Sequence, residues 1–196
     1  MNKTQAKSLT PDYFEEVYRR NADPWSFETS EYEREKYAAT LAALPRKSYE
    51  NAFEIGCSIG VLTAQLAPFC QKLLAVDIVD TALEKARRRC AELPQVRFEK
   101  MQIPAHFPSD AFDLILVSEV GYYLAPEDWH TAIRKIVGQL RPDGNVALVH
   151  WRPLVHDYPQ TGAEVHRNFK KWTAGALRTV AEERAEKYLL DVFKKV

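Results

Sequence analysis

Two glycines, Gly56 and Gly60, in the segment FEIGCSIGVLT (residues 53–63) carry the strongest chemical signal in the chain. A glycine directly after a short apolar run permits a tight turn. A second at the start of a helix lets backbone approach a ligand. A turn of this kind at the carboxyl end of a first strand is where doubly wound sheets hold nucleotides. The dinucleotide pattern G-x-G-x-x-G would need glycine at 58, where this chain has Ser58. Glu54, Gly56 and Gly60 instead give E-x-G-x-x-x-G, a form suited to a cofactor without a pyrophosphate, because fewer amides must face an anion.

About twenty residues downstream, LLAVDIVD (residues 73–80) is an apolar run ending in Asp77. A carboxylate there is placed to accept from both ribose hydroxyls; the alternative is a helix cap. Next comes VRFEKMQIP (residues 96–104). Gln102 is suited to accept from an adenine amino group, and Ile103 to cover the ring and donate its N–H. The alternative is an ordinary turn before Pro104. Finally, FDLILVSEVGYYL (residues 112–124) brings Ser118, Glu119, Tyr122 and Tyr123 to the carboxyl end of a buried run, where cofactor and acceptor would meet.

The elements needed to hold these residues are legible in outline. Apolar runs predict strands near 51–55, 73–77, 96–99, 112–118 and 145–150, with helices near 60–67, 80–91 and 128–140. Short buried strands separated by helices imply a mostly parallel sheet covered on both faces. Pro11 opens a short helix with Tyr13, Phe14, Val17 and Tyr18 on one side. A loop follows at 21–27, then a helical run from Ser30 to Leu44 closed by Pro45. After a helix at 162–172, two strand-like pieces near 177–183 and 187–194 are spaced for an antiparallel hairpin, although the first is charged enough to read as helix. No linker or repeat argues for a second domain. The expected division is a helical cap at 1–45, a cofactor-binding core at 46–153 and an acceptor-side helix with terminal strands at 154–196.

Length and composition fit one α/β domain of 196 residues. Lys plus Arg and Asp plus Glu each number 27, so no net charge draws the chain to nucleic acid or an anionic membrane. The N-terminus is polar with mixed charge, unlike a signal peptide, and no run approaches the roughly 20 apolar residues of a membrane span. The three cysteines have no metal-ligand spacing and read as buried thiols in a reducing, cytoplasmic setting. No metal is expected.

Taken in order, FEIGCSIG, the acidic end of VDIVD, FDLILVSEVGYYL and LRPDGNVALVH resemble the motifs of class I S-adenosylmethionine-dependent methyltransferases. That resemblance implies a Rossmann-like, seven-stranded sheet in the order 3-2-1-4-5-7-6. The segment DPWSFETSEYEREKYAATLAAL (residues 23–44), with FEIGCSIG and SEVGYYL, is further similar to the nodulation protein NodS family of N-methyltransferases. What this implies is S-adenosylmethionine as cofactor, S-adenosylhomocysteine as product, and an amino group of an aminosugar or oligosaccharide as acceptor. Gly56, Ser58 and Gly60 would cradle the methionine portion, and Asp77, with Ile78 beside it, the ribose. Trp25 and Arg34 would be the N-terminal contribution, with Arg34 paired to the cofactor carboxylate. Glu54, Gln102, Ile103 and Glu119 complete the cofactor set. Two departures stand out: Gln102 where the class often has Asp, and LRPDG (residues 140–144) where a P-G-G turn is common.

Methyl transfer is a direct displacement, in which alignment can supply roughly 7–11 kcal/mol. Glu119, Tyr122 or Tyr123 is expected to orient the acceptor, with His150 as proton acceptor. Trp151, Arg152 and Tyr158 would cover it. Rival readings are an oxygen acceptor on another small metabolite, a nicotinamide oxidoreductase, which Ser58 disfavours, and a non-catalytic cofactor-binding module.

Overall fold

Five segments pair in parallel, and of the two later ones only the last runs in the opposite sense, inserted between the fifth and the sixth. In a computed structural model describing residues 7–196, the strands are β1 (Ala52–Ile55), β2 (Leu73–Asp77), β3 (Val96–Lys100), β4 (Phe112–Ser118), β5 (Leu140–Trp151), β6 (Leu177–Arg184) and β7 (Tyr188–Lys195). They form one sheet in the order β3-β2-β1-β4-β5-β7-β6. β7 runs antiparallel to both β5 and β6. The helices are α1 (Pro11–Arg20), α2 (Glu31–Ala42), α3 (Val61–Leu66), α4 (Asp80–Arg89), α5 (Pro126–Gln139) and α6 (Gly162–Thr173). Among the described residues no helix is long and apolar enough to cross a membrane.

The central strands β1 and β4 are apolar except at Glu54, Asp113 and Ser118, because helices cover both of their faces. Phe53, Ile55, Ile115, Val117, Val146 and Leu148 point to one side, against Trp129, Ile133 and Ile136 of α5 and Phe169 of α6. The alternate residues Leu114, Leu116, Ala147 and Val149 point to the other, against Tyr37 of α2 and Leu62 and Leu66 of α3. This period-two division fixes which side each neighbouring polar residue takes.

Local signals set the ends. The Ser30 hydroxyl accepts from the Glu33 N–H and starts α2. Thr161 and Glu164 form a reciprocal capping box at α6. The charged segment 177–184 is a strand, because it lies at the sheet edge with most of its side chains in solvent. β5 begins five residues before the position expected from hydropathy. Leu140 pairs with Phe112, the register then shifts, and Asp143 takes φ +60 within the LRPDG turn. The three cysteines are buried free thiols.

Candidate active site

Gly56 and Asp77 end the first two strands on one wall of a cavity of about 850 Å³. Gly56 holds φ +84, and a Cβ there would lie 2.2 Å from Val120 Cγ2 and 3.2 Å from the Ser118 carbonyl. Only glycine lets the β1 turn pass this close to the end of β4. Ser58 follows at φ +50. Its N–H donates to Asp77 Oδ2 (2.9 Å), and the Val79 N–H donates to Asp77 Oδ1 (3.1 Å). Burial raises the Asp77 carboxyl, opposed by these amides. The Ile78 amide also bonds this carboxylate, which leaves it one acceptor position for a further donor. Ile78, Gln102 and Ile103 continue the same wall.

Across the cavity stands the N-terminal segment. Phe14 and Tyr18 of α1, then Trp25 and Phe27, line it. Their rings pack edge-on or tilted, Tyr18 on Trp25 at 5.7 Å and Trp25 on Phe27 at 5.5 Å between centroids. The Tyr18 hydroxyl shares a 2.5 Å hydrogen bond with Ser58 Oγ, so this wall is tied to the glycine turn. Ser58 therefore lines the cavity with its amide and hydroxyl both engaged.

The end of β4 supplies the third wall. Glu119, at φ +58, places Oε1 2.5 Å from Lys36 Nζ. Its Oε2 accepts from the Trp151 N–H (2.8 Å) and from the Tyr122 hydroxyl. Lys36 is 1% exposed and also bonds Glu33 at 3.0 Å. Burial opposes the Lys36 charge, but Glu119 and Glu33 outweigh it and hold the ammonium above the usual lysine range. Tyr122 stacks on Tyr158 (5.1 Å, 20°), while Tyr123 meets Tyr158 edge-on (4.8 Å). Burial, with Glu119 nearby, pushes the Tyr122 phenol well above its ordinary range.

Sequence reasoning brought Trp25, Gly56, Ser58, Asp77, Ile78, Gln102, Ile103, Glu119, Tyr122 and Tyr123 to this cavity, and all ten line it. Four expectations are corrected. Arg34 points to solvent, 71% exposed at its side chain, and pairs with Glu31 at 2.8 Å; it faces away from the cavity because α2 turns Lys36 inward instead. Gly60 does not line the cavity. At φ +78, its missing Cβ leaves room for Ala86 Cα of α4, which would lie 2.9 Å away, so it serves helix packing.

Glu54 is 1% exposed, with Oε2 lacking a hydrogen-bond partner. It borders a separate space of about 30 Å³ behind the glycine turn. His150 is fully buried between the sheet and the α5/α6 layer. Its Nε2 accepts from the Gly121 N–H (3.0 Å), and Nδ1 lies 3.0 Å from His166 Nε2. His166 Nδ1 in turn lies 2.5 Å from Asp191 Oδ2. One tautomer set satisfies every contact: both imidazoles neutral, each with its proton on Nδ1. Burial depresses the His150 pKa well below the histidine range, with His166 adding to it. This histidine holds the Gly121–Tyr123 turn from behind and does not line the cavity.

Lys36 is the residue that sequence reasoning missed. It lies among five charges within 31–36, and nothing in that pattern marks which of them turns inward.

The family model for nodulation protein S (NodS) matches residues 10–157. A nodulation protein S from Bradyrhizobium diazoefficiens is 37% identical over 123 residues, which cover 62% of this chain and 59% of that protein. The chain thus spans about three fifths of that relative's length. One from Sinorhizobium fredii is 30% identical over 165 residues, covering 81% and 69%. Among solved structures, the N-methyltransferase NodS from Bradyrhizobium japonicum WM9 in complex with S-adenosyl-L-homocysteine aligns with a TM-score of 0.83 at 26% identity, covering 95% of this chain and 99% of that one. With a model match across three quarters of its length, and the sheet order of class I methyltransferases beneath it, the chain belongs to the nodulation protein S family.

Proposed function

We propose that this protein is an S-adenosylmethionine-dependent N-methyltransferase acting on the amino group of a small acceptor, with an aminosugar or oligosaccharide as the class its family suggests. The observation that carries the reading is the shared wall of one cavity: Gly56 pressed against β4, and Asp77 with acceptor capacity left beyond its backbone amides. An adenosyl ligand needs both features, a backbone turn for its methionine end and a carboxylate for its ribose. Gln102 and Ile103 lie on the side where the adenine would rest.

When bound, the cofactor supplies a methyl group on a positively charged sulfur. The chain's residues do the rest. Trp25, Phe27 and Tyr18 close one side and keep water away. Tyr32, Trp151 and Tyr158 line the cavity together with Tyr122, and such aromatic faces suit a sugar ring. Glu119 and Glu33 are committed to Lys36, and His150 is buried outside the cavity. Among the described residues, the acceptor end therefore offers no free general base. That favours an amine, which gives up its proton to water and attacks as a neutral nucleophile, over an alcohol. Alignment then supplies most of the acceleration.

The test is tritiated methyl incorporation from the cofactor into a panel of aminosugars, their N-acetylated forms and hydroxylated metabolites. Label is expected in free amines alone. Label in the hydroxylated set, with none in any amine, overturns the nitrogen assignment.

A further inference from the structure

The inward lysine is the feature that the proposed function leaves unused. Lys36 does not line the cavity, whereas both of its carboxylate partners do. It therefore cannot touch a substrate and acts through Glu119. Glu119 occupies the left-handed region, uncommon for a residue with a side chain. Such a conformation persists only where its surroundings fix it. Its oxygens take one ammonium, one backbone N–H and one phenol. Because the ionised carboxylate can only accept, the Tyr122 proton must point to Glu119. The phenol oxygen then offers only lone pairs to the cavity, the polarity that receives the N–H of an amine.

We propose that Lys36 is a positioning residue: as the counter-ion of the Glu119 carboxylate, it holds the Tyr122 hydroxyl as a hydrogen-bond acceptor for the incoming amine, so the acceptor end is complete only when α2 is docked. Without Lys36, Glu119 would be a carboxylate with 14% side-chain exposure and no counter-ion. Such a group takes up a proton far more readily. Once protonated, it can donate to Tyr122 and reverse the hydroxyl. The device thus has a signature that simple loss of packing lacks, a new ionisation.

The charged and titratable groups facing Glu119 are Lys36, Glu33, Tyr32 and Tyr37 of α2, Tyr122 and Tyr123 of the turn, and Tyr158. All five tyrosines are pushed above their usual range, burial being the largest cause. Glu33 is then the one other acid able to imitate the signature.

This inference rests on the methyl-transfer reading, and its experiment separates the two. The ratio of kcat/KM between Lys36→Met and wild type is measured from pH 6 to 9 with the amine that wild type methylates, which cancels ionisation of the amine itself. The ratio is expected to fall at least tenfold between pH 9 and pH 6, mostly in acceptor KM, with affinity for S-adenosylhomocysteine within threefold of wild type. Lys36→Met/Glu119→Gln should make the ratio flat. A flat ratio in the single variant, or a pH-dependent one surviving in the double variant, overturns the proposal while leaving methyl transfer intact. Absence of wild-type turnover with any amine refutes both.

Should Lys36→Met not fold, Tyr122→Phe supplies the test. Its effect on acceptor KM is expected to be at least threefold in wild type and to vanish in the Glu119→Leu background, where the Tyr122 hydroxyl has lost the acceptor that orients it. An equal effect in both backgrounds overturns the proposal.

Discussion

Glu54→Gln should stabilise this protein far more at pH 8 than at pH 5. Glu54 sits on β1 behind the glycine turn, 1% exposed, with Oε2 lacking any hydrogen-bond partner. Burial, with the Asp77 charge adding to it, raises its carboxyl from 4.5 to about 7. In the unfolded chain the same group releases its proton near 4.5. A carboxyl whose folded pKa is raised imposes no penalty below the unfolded value. Its penalty grows as pH rises between the two and is complete above the folded value. At about 1.4 kcal/mol for each pH unit, the penalty reaches about 3 kcal/mol. Glutamine keeps the shape and never ionises. The variant's advantage should therefore grow by about 2.5 kcal/mol from pH 5 to pH 8, or about 5–10 °C in Tm for a chain of this size. Thermal and urea unfolding of both proteins at pH 5, 6, 7 and 8 measure it. A stability difference equal at pH 5 and pH 8 would refute the reasoning, because it would mean that Glu54 is ionised and satisfied in the folded protein.

Two further predictions follow from the corrected residues. Gly60→Ala forces a side chain onto φ +78 and against Ala86, costing about 2–5 kcal/mol from backbone strain and overpacking together. Its Tm should fall while S-adenosylhomocysteine affinity, measured well below Tm, stays within threefold; a tenfold affinity loss without loss of stability would return Gly60 to the ligand site. His150→Leu leaves the Gly121 N–H without its acceptor, a cost of about 1–3 kcal/mol, and should lower kcat without altering the shape of its pH profile. Loss of the acidic limb from that profile, where a protonated base would lose activity, would reinstate His150 as a proton acceptor.

The parallel strands were readable because residues buried on both faces must be apolar throughout, and the runs at 73–77 and 112–118 match β2 and β4 residue for residue. The glycine turn and Asp77 were readable because the backbone geometry they serve leaves few other choices of residue. The direction in which polar residues point was not. Arg34 and Lys36 are two positions apart on α2, about 200° around the helix, so an argument for one facing the ligand is an argument against the other. His150 was correctly placed near the carboxyl end of β5, but strand alternation turns it into the α5/α6 layer, whereas Trp151 lines the cavity. Whether a strand-end histidine meets ligand or protein depends on α6, and that helix contributes His166 from a part of the chain whose role no local motif announced.

The most direct measurement is calorimetric titration of the purified protein with S-adenosylhomocysteine, in parallel with Asp77→Asn. Wild type should bind one equivalent, and the variant should bind at least tenfold more weakly, since each hydrogen bond to a charged acceptor is worth about 1.5–3 kcal/mol. No heat with wild type at millimolar ligand, or equal affinity in the two proteins, would contradict an adenosyl site built on the ends of β1 and β2.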